Sequence, residues 1–206
     1  IQENVTIDVP GVRLAGVSTS SLGVPWVASD DDQTLITVNQ LDVYIEGFNF
    51  WEQGGTSGTT AIFAQWDSTS DYYGESTTIQ HCNFYSVDYG MSLDYAWNCI
   101  IEDCTFNDVE TQAIHTPAVE GEPDYLIIRR NTFIECTGGI NLPGTTNVVI
   151  VGNDFEWCTT AIDMVNGGYS TIRDNTINGD PTGTNNFIDL TSGDNNLVCG
   201  NCLACT

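Results

Sequence analysis

The phrase NVVIVGNDFEWCTTAIDM, Asn147 to Met164, has near copies elsewhere in the chain: DYLIIRRNTFIECTGGINL from Asp124 and WNCIIEDCTFNDVETQAIHT from Trp97. Aligned on the aromatic, Phe50, Phe84, Phe106, Phe133, Phe155, Ile177 and Leu203 form one column, at steps of 34, 22, 27, 22, 22 and 26 residues. A unit near 22 residues cannot bury an apolar face by itself. Successive units must stack, with the extra residues as loops on one side.

Two further columns follow the same register. Five residues before each aromatic stands Ile45, Ile79, Ile101, Ile128, Ile150, Ile172 or Val198. Two before it stand Phe48, Cys82, Cys104, Asn131, Asn153, Asn175 and Asn201, where apolar gives way to a run of Asn. The phrases hold short alternating runs and no sustained 3.6-residue period, which predicts an all-β chain with two or three strands per coil. A stacked Asn column suits a tight bend, since Asn tolerates left-handed backbone angles and its amide reaches the same residue one coil away. An antiparallel sandwich also has many short strands, but it gives no reason for the same positions to recur.

On these columns the chain resembles the right-handed parallel β-helix of the pectate-lyase-like superfamily, over essentially its whole length. ENVTIDVPGVRLAG, Glu3 to Gly16, is similar to the first full coil of many members. The resemblance implies a single β-helix domain over 1–206, of about seven to eight coils, each with a first, second and third sheet and an Asn ladder at the second bend. On that plan NVVIVGN is second sheet and bend, DFEWC third sheet and AIDM first sheet. The superfamily hosts lyases, hydrolases, epimerases, tailspikes and non-enzymatic surface proteins, so the fold leaves the chemistry open.

The first-sheet segments align as AIFAQ, GMSLD, AIHTP, GINLP, AIDMV and FIDLT. With Ile62, Met91, Ile114, Ile140, Ile162 and Ile188 inward, alternation turns Phe63, Ser92, His115, Asn141, Asp163 and Asp189 outward. Coils lie about 4.8 Å apart, which sets Asp163 beside Asp189. Two such carboxylates share a proton or hold a cation, Ca²⁺ being the candidate. The resemblance implies a saccharide groove on this face, with Asp163, Asp189 and His115 as candidate catalytic groups and Asn141, Ser92 and Asp94 as substrate contacts. Stacked Asp and Asn on a solvated face, and a lone surface His, are the plainer explanation of the same residues.

Trp66, Tyr72, Tyr73, Tyr95, Trp97 and Tyr125 follow first-sheet segments, where flat rings at a groove rim stack on sugars or meet a protein partner. Ile100, Ile127 and Val149 form an outward apolar strip on the second sheet, fit for a covering loop or for a homotrimer along that face. The polygalacturonase set NTD, GHG and RIK is missing, as is a DPHD-like epimerase motif. A lyase needs an Arg or Lys base near an acidic cluster, but Arg129, Arg130 and Arg173 fall on the second sheet or its bend.

Charge narrows the partners. The chain has 28 acidic residues against 4 arginines and no lysine, a net charge of -24. Such a surface repels nucleic acid and anionic lipid, and polyanionic polysaccharide too unless a divalent cation bridges. No apolar run is long enough to span a bilayer, so membrane insertion is not expected. An acidic, aggregation-resistant surface suits an extracellular, cell-surface or virion setting.

Eight cysteines follow the repeat: Cys82 and Cys104 share one column, Cys136 and Cys158 another. Their spacing allows either disulfides or stacked thiols. Cys199, Cys202 and Cys205 lack a fourth ligand for a metal knuckle. Neither end carries a polar cap, and the domain is expected to continue in a longer chain at one or both ends. Two functional readings follow: an extracellular or virion-surface β-helix that binds glycan or assembles with partners without turnover, and a polysaccharide lyase or glycoside hydrolase working in the first-sheet groove.

Overall fold

A computed structural model describes residues 3–16, 24–52, 57–65, 76–94, 96–117, 123–179 and 186–205. Their backbone winds into a solenoid with three parallel sheets of eight strands each. The first sheet runs from Val5–Ile7 to Asn186–Asp189, the second from Arg13–Ala15 to Leu197–Cys199, and the third from Val24–Ala28 to Cys202–Cys205. In the phrase from Asn147, Val149–Val151 lies in the second sheet, Asp154–Glu156 in the third and Thr160–Asp163 in the first. That is the division the resemblance implies.

Each strand pairs with its equivalent one coil away, so residues of one column become neighbours. Met91 pairs with Ile62 and Ile114, and Ile140 with Ile114 and Ile162. Inside, Phe50, Phe84, Phe106, Phe133 and Phe155 stack with ring centroids 4.6 to 5.1 Å apart. Each fully buried ring stabilises the fold by about 2–3 kcal/mol. The rings press on a first-sheet column kept small, Ala61, Gly90, Ala113, Gly139 and Ala161. A Cβ at Gly139 would stand 2.9 Å from the Phe155 ring.

The Asn ladder is present, with one correction to its expected cause. The left-handed residue at the second bend precedes the Asn: His81, Asp103, Arg130, Gly152, Asp174 and Gly200 have φ between 51° and 67°. The Asn contributes hydrogen bonds instead. Asn153, 1% exposed, donates Nδ2 to the Ile128 carbonyl and to Asn175 Oδ1, and its own Oδ1 accepts from the backbone N–H and Nδ2 of Asn131. Asn131, Asn175 and Asn201 donate to the carbonyls of Ile101, Ile150 and Ile172 in the same way.

Cysteine takes over where the Asn run stops. Cys104 sits in the same column and turns its thiol toward the Ile79 carbonyl at 3.8 Å. Of the two options the columns left open, stacked thiols are the one found: Cys82, Cys99, Cys104, Cys136 and Cys158 are buried and unbridged. Burial, with the neighbouring Cys82, pushes the Cys104 thiol well up, and the Cys136 thiol together with burial does the same to Cys158. Cys104 and Cys158 are packing groups, not nucleophiles. In the last coil Val198 and Leu203 continue the Ile and Phe columns but are 44% and 53% exposed, since no described coil lies over them.

Candidate functional site

The outward row of the first sheet forms as alternation requires. Phe63, Ser92, His115, Asn141, Asp163 and Asp189 are partners in sequence along neighbouring strands. The two carboxylates are adjacent, yet each is engaged by its own backbone. Asp163 Oδ1 accepts the Val165 N–H at 3.2 Å. Asp189 Oδ1 accepts the Thr191 N–H at 2.9 Å and the Thr191 hydroxyl at 2.6 Å, and these bonds hold its pKa below the usual value. Each Asp thus closes the turn that leaves its own strand.

Calcium takes six to eight oxygens. The Asp163 and Asp189 carboxylates with Asn141 beside them supply part of such a set, the rest of which carbonyls and water would have to provide. No third acid, His or Cys joins them among the described residues.

His115 stacks on Tyr89, centroids 4.6 Å apart at 31°, and burial lowers its pKa to about 4. It is neutral at pH 7 and a weak base. Ser92 is buried beside it, and Asp94 follows two residues later on the same strand face. No hydrogen bond links Ser92, His115 and Asp94 among the described residues, so the three form no proton relay. One Asp94 oxygen is buried without a hydrogen bond among the described residues, and burial raises its pKa.

All four arginines are ion-paired away from this row. Arg13 binds Glu46 at 2.5 Å, Arg129 and Arg130 bind Glu102 at 2.6 and 2.7 Å, Arg130 also binds Asp103, and Arg173 binds Asp174. No cation is placed to abstract a proton from a sugar on the first sheet.

The loop aromatics divide. Trp66, Tyr72, Tyr73 and Tyr95 lie outside the described residues. Trp97 pairs with Asp124 at the corner between the first and second sheets. Tyr125, 56% exposed, stands at that corner and lines a cavity of about 360 Å³ over Ile100, Ile127 and Val149. Tyr125 therefore borders the second-sheet apolar strip.

The third sheet carries a second candidate surface, outside the first-sheet row. Trp51 and Tyr85 are registered neighbours, 38% and 49% exposed, with Asn49 and Asn83 registered beside them. With Thr105 and Asn107 they line a shallow cavity of about 460 Å³. The signal was available, because each ring is the residue after a Phe of the core column.

A family model described as "Right handed beta helix region" matches residues 66–204, and the chain belongs to that right-handed β-helix family. Among solved structures it is similar to the Dettilon tailspike protein (gp208), at 10% identity and a TM-score of 0.42. That match covers 100% of this chain and 54% of the tailspike, so this chain spans about half that protein's length. No curated protein sequence matches it. No helix of the described residues is long and apolar enough to cross a membrane.

Proposed function

We propose that this chain is a glycan-engaging β-helix of an extracellular or virion-surface assembly that holds its ligand without turning it over. The observation that carries the reading is the state of the first-sheet row. Asp163 and Asp189 are bonded to their own turns, His115 is neutral, and every arginine is paired elsewhere. A lyase or hydrolase needs a free base and a positioned acid. Outward amides, hydroxyls and rings on the other faces of the coils remain suited to sugar hydroxyls and sugar faces.

Assembly belongs to the same proposal. Ile100, Ile127 and Val149 are half-buried on the outside of the second sheet, bordered by Tyr125, and a homotrimer along this strip would cover them.

The test is incubation with a panel of neutral and acidic polysaccharides, with and without calcium, reading reducing ends and the absorbance of unsaturated products. Neither is expected, while co-sedimentation with at least one polysaccharide is. Product release that Asp163→Asn or Asp189→Asn abolishes would replace this reading with catalysis. Light scattering is expected to return a trimer that Ile127→Glu dissociates; a monomer at all concentrations removes the assembly part.

A further inference from the structure

From the outer face of the third sheet we infer a binding site for a short neutral oligosaccharide, built by Asn49, Trp51, Asn83, Tyr85, Thr105 and Asn107 and running along the solenoid axis across three coils. The inference rests on the glycan-engaging reading and gives it a place and a ligand class.

Local structure comes first. In the strands Phe48–Glu52, Asn83–Tyr85 and Thr105–Asn107 the central Phe50, Phe84 and Phe106 point into the stacked core, so the flanking residues point out. Parallel register then sets Asn49 beside Asn83 and Thr105, and Trp51 beside Tyr85 and Asn107. The rings stand on the outer face of strands whose inner residues belong to the Phe stack, and a fixed backbone lowers the ordering cost of binding.

Chemistry selects the ligand. The Asn49, Asn83 and Asn107 side-chain amides make no hydrogen bond to the described residues, and each offers both a donor and an acceptor. Two registered amides, Asn49 and Asn83, about 4.8 Å apart, with Asn107 in the neighbouring column beside the two exposed rings, match a chain of hydroxyl groups with apolar faces. The cavity, about 460 Å³, falls within the usual range of small-molecule sites.

Charge selects further. In a chain of net charge -24, the outward positions Val27, Thr132 and Ile134 on either side of this patch are uncharged as well. Acidic side chains reach the outer columns only at Asp154 and Glu156, two coils beyond Thr105 and Asn107. No arginine adjoins the patch, so a carboxylated or sulfated glycan finds no counter-charge there. Exposed Asp108, next to Asn107 and bonded by the Ser86 hydroxyl, lies at the rim and adds repulsion against an acidic glycan that a neutral one does not meet.

The experiment is titration of the whole chain with cellohexaose, maltohexaose and mannohexaose, with hexagalacturonate as the acidic control, followed by tryptophan fluorescence and calorimetry. At least one neutral hexaose is expected to bind and the acidic one not. Trp51→Ala and Tyr85→Ala are each expected to weaken binding about tenfold or more, and Asn83→Ala to weaken it measurably, with a cooperative thermal transition above the titration temperature showing that each variant is folded. His115→Gln and Asn141→Ala on the first sheet are expected to bind as the parent does. If the parent binds a neutral hexaose and only the first-sheet variants lose it, the site is misplaced while the glycan reading stands. If the parent binds no hexaose, both fail. If Trp51→Ala instead dissociates an oligomer and leaves glycan binding intact, the patch is a contact between copies and the inference is overturned.

Discussion

The Asn131, Asn153 and Asn175 column and the Asn141, Asp163 and Asp189 column are both stacks of short polar side chains one coil apart, yet they do opposite work. The first is buried, and each of its amides ties one coil to the next. The second faces solvent, and each Asp ties its strand to its own turn. Recurrence in a sequence therefore establishes that a position stacks. Burial decides whether the stack holds the coils together.

Substitution on each column tests that contrast most severely. Asn153→Ala removes the acceptor of two Asn131 groups and the donor to Ile128 and Asn175, leaving buried polar atoms unpaired. A loss of about 3 kcal/mol or more is expected in urea unfolding. A cost no larger than that of Asp163→Ala would erase the distinction between the columns.

The next effect is expected at His115, the imidazole of the outer row. The His115 pKa is lowered from 6.5 to about 4 in the fold, so between those values the unfolded chain binds a proton that the folded chain does not. Its contribution is fully present above about pH 6.5 and is lost as pH falls toward 4, by up to about 3 kcal/mol. His115→Gln should flatten that part of the stability profile relative to the parent. Superimposable slopes in the two proteins would show that His115 is as solvated as the aspartates beside it.

Much of this was legible beforehand because it follows from period alone. The Phe, Ile and Asn columns and the outward row come from a 22-residue repeat and strand alternation, the three-sheet plan comes from the family resemblance, and the register confirms each. What was not legible depends on local backbone. Asp163 looked unexplained because alternation says only that it points out. Its bond to the Val165 N–H exists because the chain turns at once, with Asn166 at φ 62°. The left-handed residue of the second bend was assigned to the Asn, although Gly152 and Gly200, one position earlier, marked the true place. Trp51 and Tyr85 were readable one step past the Phe column, but the family resemblance directed attention to another sheet.

On the outer column itself, Asp163→Asn keeps an acceptor for the Val165 N–H and should leave stability almost unchanged, whereas Asp163→Ala should cost about 1 kcal/mol. A larger cost for the Asn variant would mean that the charge, and with it a cation or a proton partner, matters at this position.

The smallest effect is expected at the third corner, where neither column acts. Ser86, Asp108, Glu135 and Trp157 turn the chain from the third sheet to the first, all with φ between 46° and 56°. A left-handed angle costs an L-residue about 1–2 kcal/mol, and glycine escapes that cost while losing more entropy on folding. Trp157 is 51% exposed, so little packing opposes the exchange. Trp157→Gly should therefore raise stability by about 0.5–1 kcal/mol. A gain would show that this bend is set by the repeat on either side and tolerated by its own residue. A loss would show that the indole contributes to the corner after all, and that a third side-chain column belongs beside the other two.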